Sequence, residues 1–547
     1  MTSRGEAHSV SPGLAPAIPP APPGSAGAWV AAAIVIAISL LSTFTIATDP
    51  TAEVAAGGSA GSDAPRYFVD ESGNPVGGET DGSGGGRIRR VTGLGEGGDA
   101  AGSAGTEGQT ITEGGTEGRK DDPTSADRTS ASADCRKGQN AGPTDTGVTD
   151  SQIRFAATVV RTGIAKEFLA DAQYGMEAVI RKQNAKGGVC GRRILVDYDD
   201  DGWVPSTGQQ FIRGYITEDR YFGLAVNPSS EGLLGASQDV RAEGMPVIGA
   251  DGMLLDQYEN PWIWPVATST HSVMHIMCMD AYERARAAGI TNPTFALVWE
   301  NNYRFGVEGA KAFKGCVSRR SGAKFTAEAE IKGGNSEYGV QANKFVGDCK
   351  GEKEFDKCDF VALLLEPETA FAWHNSKGLG SGKESDGRPR IGFGAPQPLF
   401  VNAFAEDCGL PCANLRVWTS FKPHIPPFDK DPAVQTYIND LKAVSRSADA
   451  DNPHVQGAYV GMRLVVHALE EMGAAPTRER ARELLDATTF DSGLAPPLTF
   501  SPGNHFAAVS AQAFEATYNI AGSSAQFTGW TYTNSGFKKD TELSMDR

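Results

Sequence analysis

His271, His275 and Cys278 fall at i, i+4 and i+7, so on a helix they share one face, with Met274 close by. Imidazole and thiolate are ligands for zinc or copper. The same helix must also pack an apolar face, and the thiol can instead be oxidised. Packing is the favoured reading, and no metal or cofactor is expected. Asp199, Asp200 and Asp201 form a second cluster. A calcium loop needs roughly six or more oxygens from a defined loop. These three lack EF-hand spacing and read as a turn at a strand end. The chain has no G-x-S-x-G elbow, P-loop or H-E-x-x-H. Gly392-Phe-Gly394 is too short for a nucleotide loop. Catalysis is therefore not expected.

The eight cysteines fit an oxidising compartment. Cys349 with Cys358, and Cys408 with Cys412, are near neighbours able to close small loops. Cys135 with Cys190 and Cys278 with Cys316 would complete one of many possible connectivities. A zinc site on Cys408 and Cys412 lacks two further spaced ligands. The charge balance is 50 Lys+Arg against 67 Asp+Glu, a net charge of -17. That argues against nucleic acid as a partner, since neutralising phosphates needs an excess of basic side chains. It also disfavours a basic patch on anionic lipid.

The elements that position such residues begin late in the chain. Residues 1–25 are rich in Pro, Ala, Gly and Ser, as at Pro19, Pro20, Pro22 and Pro23, and are expected to be disordered. Residues 26–48 carry no basic side chain and one uncharged apolar run, long enough to cross a ~30 Å hydrocarbon core, with Trp29 as an interfacial anchor. Its length favours an uncleaved single-pass anchor over a cleaved signal peptide. Residues 49–134 form a Gly/Ser/Thr/acidic linker, with an r.m.s. span of roughly 50 Å as a flexible coil. The cysteines place the remainder, 135–547, outside the cytoplasm.

From Gly147 strand and helix patterns alternate. Ile153–Val160, Ile194–Tyr198, Tyr221–Val226 and Pro246–Gly249 read as strands, separated by helices at 166–186, 206–217 and 233–242. The pattern restarts with a helix at 272–288, then strands at Phe295–Trp299, Phe325–Ile331, Phe360–Leu365 and Arg390–Gly394. Helices follow at 455–472 and 478–485, then β-like segments such as 526–532. Two α/β units with parallel sheets, and a cleft between two lobes, are the predicted architecture.

Gly147-Val-Thr-Asp-Ser-Gln-Ile-Arg154, Gln183-Asn-Ala-Lys-Gly-Gly-Val-Cys-Gly-Arg192, Val196-Asp-Tyr-Asp-Asp-Asp-Gly202 and Asn301-Asn-Tyr-Arg-Phe-Gly306 occur in order. On these motifs residues 148–547 resemble the type I periplasmic binding proteins, in the leucine/isoleucine/valine-binding branch. The resemblance implies two Rossmann-like lobes joined by a three-crossover hinge. Lobe 1 would span about 148–267 and 420–495, and lobe 2 about 268–419 and 496–547. It also implies capture of a small polar solute by hinge closure and delivery to an ABC permease.

Mapped position by position, the resemblance implies a ligand set. Ser229 and Ser230, in the loop after the third strand, would meet an anionic or hydroxyl group, although either can instead cap the helix that follows. Asp251 and Gly252 come from the loop Gly249-Ala-Asp-Gly-Met-Leu254, where the family usually offers an Ala/Thr pair and where Asp251 and Met253 depart from that pattern. Tyr303 and Phe305 supply aromatics, and Glu366 comes from another strand end. Gln397 stands where the family has an ammonium-binding Glu, which weakens the case for an amino acid. A bulky residue at 229 is expected to block the cleft without unfolding the lobe. The rival use of the same fold is a ligand-sensing ectodomain reporting to a partner protein.

Overall fold

Five short runs rich in Val, Ile, Ala and Phe build the first sheet. They are β1 (Gln152–Val159), β2 (Arg193–Asp200), β3 (Gly223–Ala225), β4 (Val247–Ala250) and β5 (Ile263–Pro265). All pair in parallel, in the order β2-β1-β3-β4-β5. The computed structural model describes residues 140–382, 387–521 and 524–545, besides a short antiparallel pair at Phe68–Val69 and Pro75–Val76. The expected tail, the apolar run, most of the linker and Cys135 lie outside the described residues. Among those residues no helix is long and apolar enough to cross a membrane.

Helices α1 (Ala172–Ala185), α2 (Pro205–Glu218) and α3 (Ser230–Glu243) connect the first four strands. The helix expected over 166–186 is broken into Lys166–Leu169 and α1. Asn452 Nδ2 donates to the Phe168 carbonyl at 2.9 Å, and Asp171 accepts from the Asp449 amide at 3.0 Å. A tertiary partner thus takes the Phe168 carbonyl, which a continuous helix would have used internally, and the Asp171 carboxylate ties the break to the segment before the helix Pro453–Met472.

After β5 the chain enters a second sheet through α4 (Thr270–Ala287). Its strands are β6 (Thr294–Glu300), β7 (Lys324–Ile331), β8 (Phe360–Leu364), β9 (Gly392–Pro396) and β10 (Leu415–Thr419). They interleave with α5 (Arg304–Ser318), α6 (Gly339–Cys349), α7 (Pro367–Asn375) and α8 (Asn402–Cys408). The chain then returns to the first lobe for α9 (Pro432–Lys442), α10 (Pro453–Met472) and α11 (Arg478–Leu485), and crosses back to β11 (Ser510–Ala521) and β12 (Ser524–Tyr532). The second sheet runs β12-β11-β10-β9-β8-β6-β7. Its first five strands in sequence are parallel, while β11 joins β10, and β12 joins β11, antiparallel.

The three crossings are stitched side by side. The Thr268 amide donates to Ser420 Oγ at 2.8 Å, and Thr268 Oγ1 donates to the Ser510 carbonyl at 2.6 Å. Gln512 Nε2 adds a bond to the Phe421 carbonyl at 2.8 Å. This places a short polar hinge under both lobes.

Helix α10 lies across β4 at a contact only glycine permits. Gly249 has φ +82, and a Cβ on Gly249 or on Gly461 would overlap the other's backbone. Gly461→Val should therefore destabilise the first lobe by about 3 kcal/mol through overpacking. Thermal melting checks this, and a melting temperature equal to wild type would contradict it.

Three disulfides join Cys278 to Cys316, Cys349 to Cys358 and Cys408 to Cys412. Cys190 is also disulfide-bonded, and no free cysteine occurs among the described residues. Cys278 is consequently removed from any thiolate metal site.

Candidate functional site

The site begins where strands of the first lobe end. Val226 and Asn227 adopt positive φ after β3, and Asn227 Oδ1 accepts from the Thr158 amide at 2.7 Å. This fixes the turn that starts α3. Ser229 caps that helix, accepting from the Gly232 amide, and its hydroxyl donates to Asp201 at 2.7 Å. Burial pushes Asp201 up to about 6, against the hydrogen bonds that hold it. Ser229 is fully buried. The expectation that a bulky residue here would spare the fold is therefore corrected: the side chain packs inside the lobe and its hydroxyl is already committed.

Ser230 points the other way. Its Oγ donates to Asp251 Oδ2 at 3.0 Å, just beyond β4. Gly252, with φ +81, lets the chain turn where a Cβ would crowd Tyr258, Ala267 and Pro265. Asp251 Oδ1 meets His454 Nδ1 at 3.2 Å, and His454 Nε2 faces the Gln397 amide at 3.5 Å. Gln397 Oε1 accepts from Thr419 Oγ1 at 3.0 Å. A buried polar chain thus crosses from Ser230, Asp251 and His454 in the first lobe to Gln397 and Thr419 in the second. With Gln397 donating to Nε2, the His454 proton lies on Nδ1 and is given to Asp251.

Ser230, Asp251 and His454 are the residue types of a hydrolytic triad, but their connectivity is wrong for one. The carboxylate bridges serine and histidine, so no imidazole nitrogen is placed to take the serine proton. The arrangement can hold polar groups; it cannot generate a nucleophile. Beside it lies a cavity of about 20 Å³ lined in part by Asp251, Met253, Thr270, Gln397 and His454. That is little more than room for one water.

The second half of the site is acidic. Glu231, in the first turn of α3, reaches across the lobes and accepts from the Phe305 amide at the start of α5 at 3.2 Å. Burial raises its carboxyl to about 8, and the Phe305 hydrogen bond only partly offsets this. A second cross-lobe bond runs from the Leu255 amide to Glu308 at 2.9 Å. Tyr303 and Phe305 stack with ring centroids 6.2 Å apart. Glu366 caps α7, accepting from the Glu368 and Thr369 amides at 2.7 and 2.5 Å, and burial raises it to about 7. Its own amide donates to Glu300 Oε1 at 2.7 Å. Burial and the neighbouring Glu366 push Glu300 well above the usual carboxylate range.

The expected residues therefore divide into groups. Ser230, Asp251 and Gln397 join one network, with Gly252 turning the chain beside it. Tyr303, Phe305 and Glu366 border the acidic cluster. Ser229 faces into its own lobe. Three participants were absent from the expected set. Glu231 follows the serine pair directly and Glu300 ends a strand, so both carried a positional signal. His454 carried none, because it lies on a helix 203 residues away from its Asp251 partner.

The periplasmic binding protein family matches residues 152–519. The chain belongs to that family. Its members are solute-binding proteins rather than enzymes. No curated protein matches the chain. Among solved structures it is similar to a possible leucine/isoleucine/valine-binding protein from Rhodopirellula baltica SH 1, with 17% identity, a TM-score of 0.54, and coverage of 71% of this chain and 98% of that one. A fatty acid ABC transporter substrate-binding protein from Thermomonospora curvata shows 16% identity and a TM-score of 0.53, covering 73% and 97%. A solute-binding protein from R. palustris in complex with benzoate shows 14% identity and a TM-score of 0.54, covering 72% and 98%. At these identities the likeness establishes the periplasmic binding protein fold.

Proposed function

We propose that this protein is the extracytoplasmic substrate-binding component of an ABC importer, tethered to the membrane by its N-terminal apolar run, and that it closes on a small polar organic solute. The supporting observation is the Ser230–Asp251–His454–Gln397 chain. Polar groups from both lobes converge beyond strand ends, the place where α/β sheets take ligands. A solute that displaces the His454–Gln397 contact can satisfy both sides at once, which favours closure around it. Gln397 offers an amide where a carboxylate would hold an ammonium, so the reading favours a hydroxylated or carboxylated solute over leucine. The disulfides support placement outside the cytoplasm, and relatives whose names include leucine, fatty acid and benzoate show how varied the solute of this fold can be.

The test is a thermal-shift screen of the full-length protein against amino acids, aromatic acids, fatty acids and polyols. A true ligand should raise the melting temperature of wild type. Asp251→Ala and Gln397→Ala should each weaken its binding at least about tenfold, since each leaves a buried partner unpaired. Full-strength binding by both variants would move the solute site elsewhere.

A further inference from the structure

We propose that His271, His275 and Asp540 form a transition-metal site that fastens the C-terminal segment to α4, separately from solute capture. The three side chains are buried, and one donor atom from each lies within 4.8 Å of the others. His271 and His275 stand one turn apart on α4, with ring centroids 4.5 Å apart. Asp540 arrives from the far end of the sequence, and its two oxygens lie 3.2 and 3.1 Å from His275 Nδ1. Two ligands on a common metal at bonds of about 2.0–2.1 Å sit roughly 3–3.4 Å apart, so the His275–Asp540 spacing already suits coordination. A small inward movement of the His271 ring completes a two-imidazole, one-carboxylate set, with water in the remaining position. Nitrogen and carboxylate donors of this kind take zinc, cobalt or nickel in preference to calcium or magnesium.

The surroundings favour a fastening role. Asp540 Oδ1 also accepts from the Glu542 amide at 2.8 Å, which orients the carboxylate. Glu542 pairs with Arg319 at 2.6 Å and also with Arg320, both at the end of α5 or just beyond. Arg319 Nη2 lies 3.4 Å from His275 Nε2. A metal on Nδ1 requires the proton to sit on Nε2, so loading gives up this long contact while Arg319 keeps Glu542. The Cys278–Cys316 bond lies one turn further along α4. The metal would thus tie Asp540 to the same helix that the disulfide ties to α5.

The experiment is titration of the chelator-stripped, untagged full-length protein with Co²⁺ and then Zn²⁺. Expected are one equivalent of Co²⁺ with visible d–d bands of nitrogen/oxygen coordination, no thiolate charge-transfer band, displacement by Zn²⁺, and a melting temperature raised by about 3 °C or more at saturating zinc. Asp540→Asn and His271→Gln should each abolish the bands and the shift. Wild-type protein that binds no stoichiometric Co²⁺ or Zn²⁺ overturns the proposal, whatever the folding of the variants. So does binding of unchanged stoichiometry and affinity in both variants, which would locate the metal on other groups.

Discussion

The cleft should open as pH rises. Small-angle scattering of the full-length protein should show the two-lobed region closed near pH 5.5 and increasingly open by pH 9. Glu231 is buried at the lobe contact with its carboxyl raised from an ordinary 4.5 to about 8, chiefly by desolvation. Glu366 is raised to about 7, and Glu300 well above its usual range. A carboxyl whose pKa is higher in the closed, folded state binds more protons there than in the unfolded or hydrated state. The resulting stability is fully present below about 4.5 and is lost as pH climbs through about 8. For Glu231 this amounts to at most on the order of 5 kcal/mol, capped by the ease with which opening rehydrates it. Arg304 and the Phe305 amide favour the ionised form, whereas Glu308 opposes it. Glu231→Gln should keep the Phe305 contact at all pH values and flatten its share of the profile. A wild-type profile that stays flat, or that closes with rising pH, would show that the cleft carboxylates do not control closure.

Removal of the Cys278–Cys316 bond should cause the largest loss of stability among the three described disulfides. It spans 38 residues, whereas Cys349–Cys358 spans 9 and Cys408–Cys412 spans 4. Cross-linking limits the unfolded chain more as the closed loop lengthens, giving about 4 kcal/mol for the longest loop and about 2 kcal/mol for the shortest. Both sulfurs of the longest bridge lie in the core between α4 and α5. The Cys278→Ala, Cys316→Ala double variant should melt about 5 °C lower in a domain of this size. The corresponding pair at 408 and 412 should lose about half as much. Equal losses would mean that native packing around each bridge, and not loop length, sets the effect.

Much of the architecture was legible in order along the chain. Runs such as Phe295-Ala-Leu-Val-Trp299 are apolar throughout because a central parallel strand is covered on both faces. Their spacing with helices announced an α/β fold, while charge and motif content argued against nucleic-acid binding and offered no familiar catalytic motif. The i, i+4 pair His271 and His275 was equally plain, since one turn of helix suffices to align them. What the linear pattern could not hold was partnership across lobes. Asp251 acquires His454, and His454 acquires Gln397, only after three separate crossings bring their elements together. Glu231 meets Phe305, and Asp540 meets His275, for the same reason. Ser229 shows the converse: the residue type fitted a cleft wall, but the turn at Val226 and Asn227 aims its hydroxyl inward at Asp201. Periodicity records which face of an element is buried. Which distant side chain shares that burial, and hence which carboxyl is raised or which imidazole finds a third ligand, is decided only when the hinge and both sheets are packed.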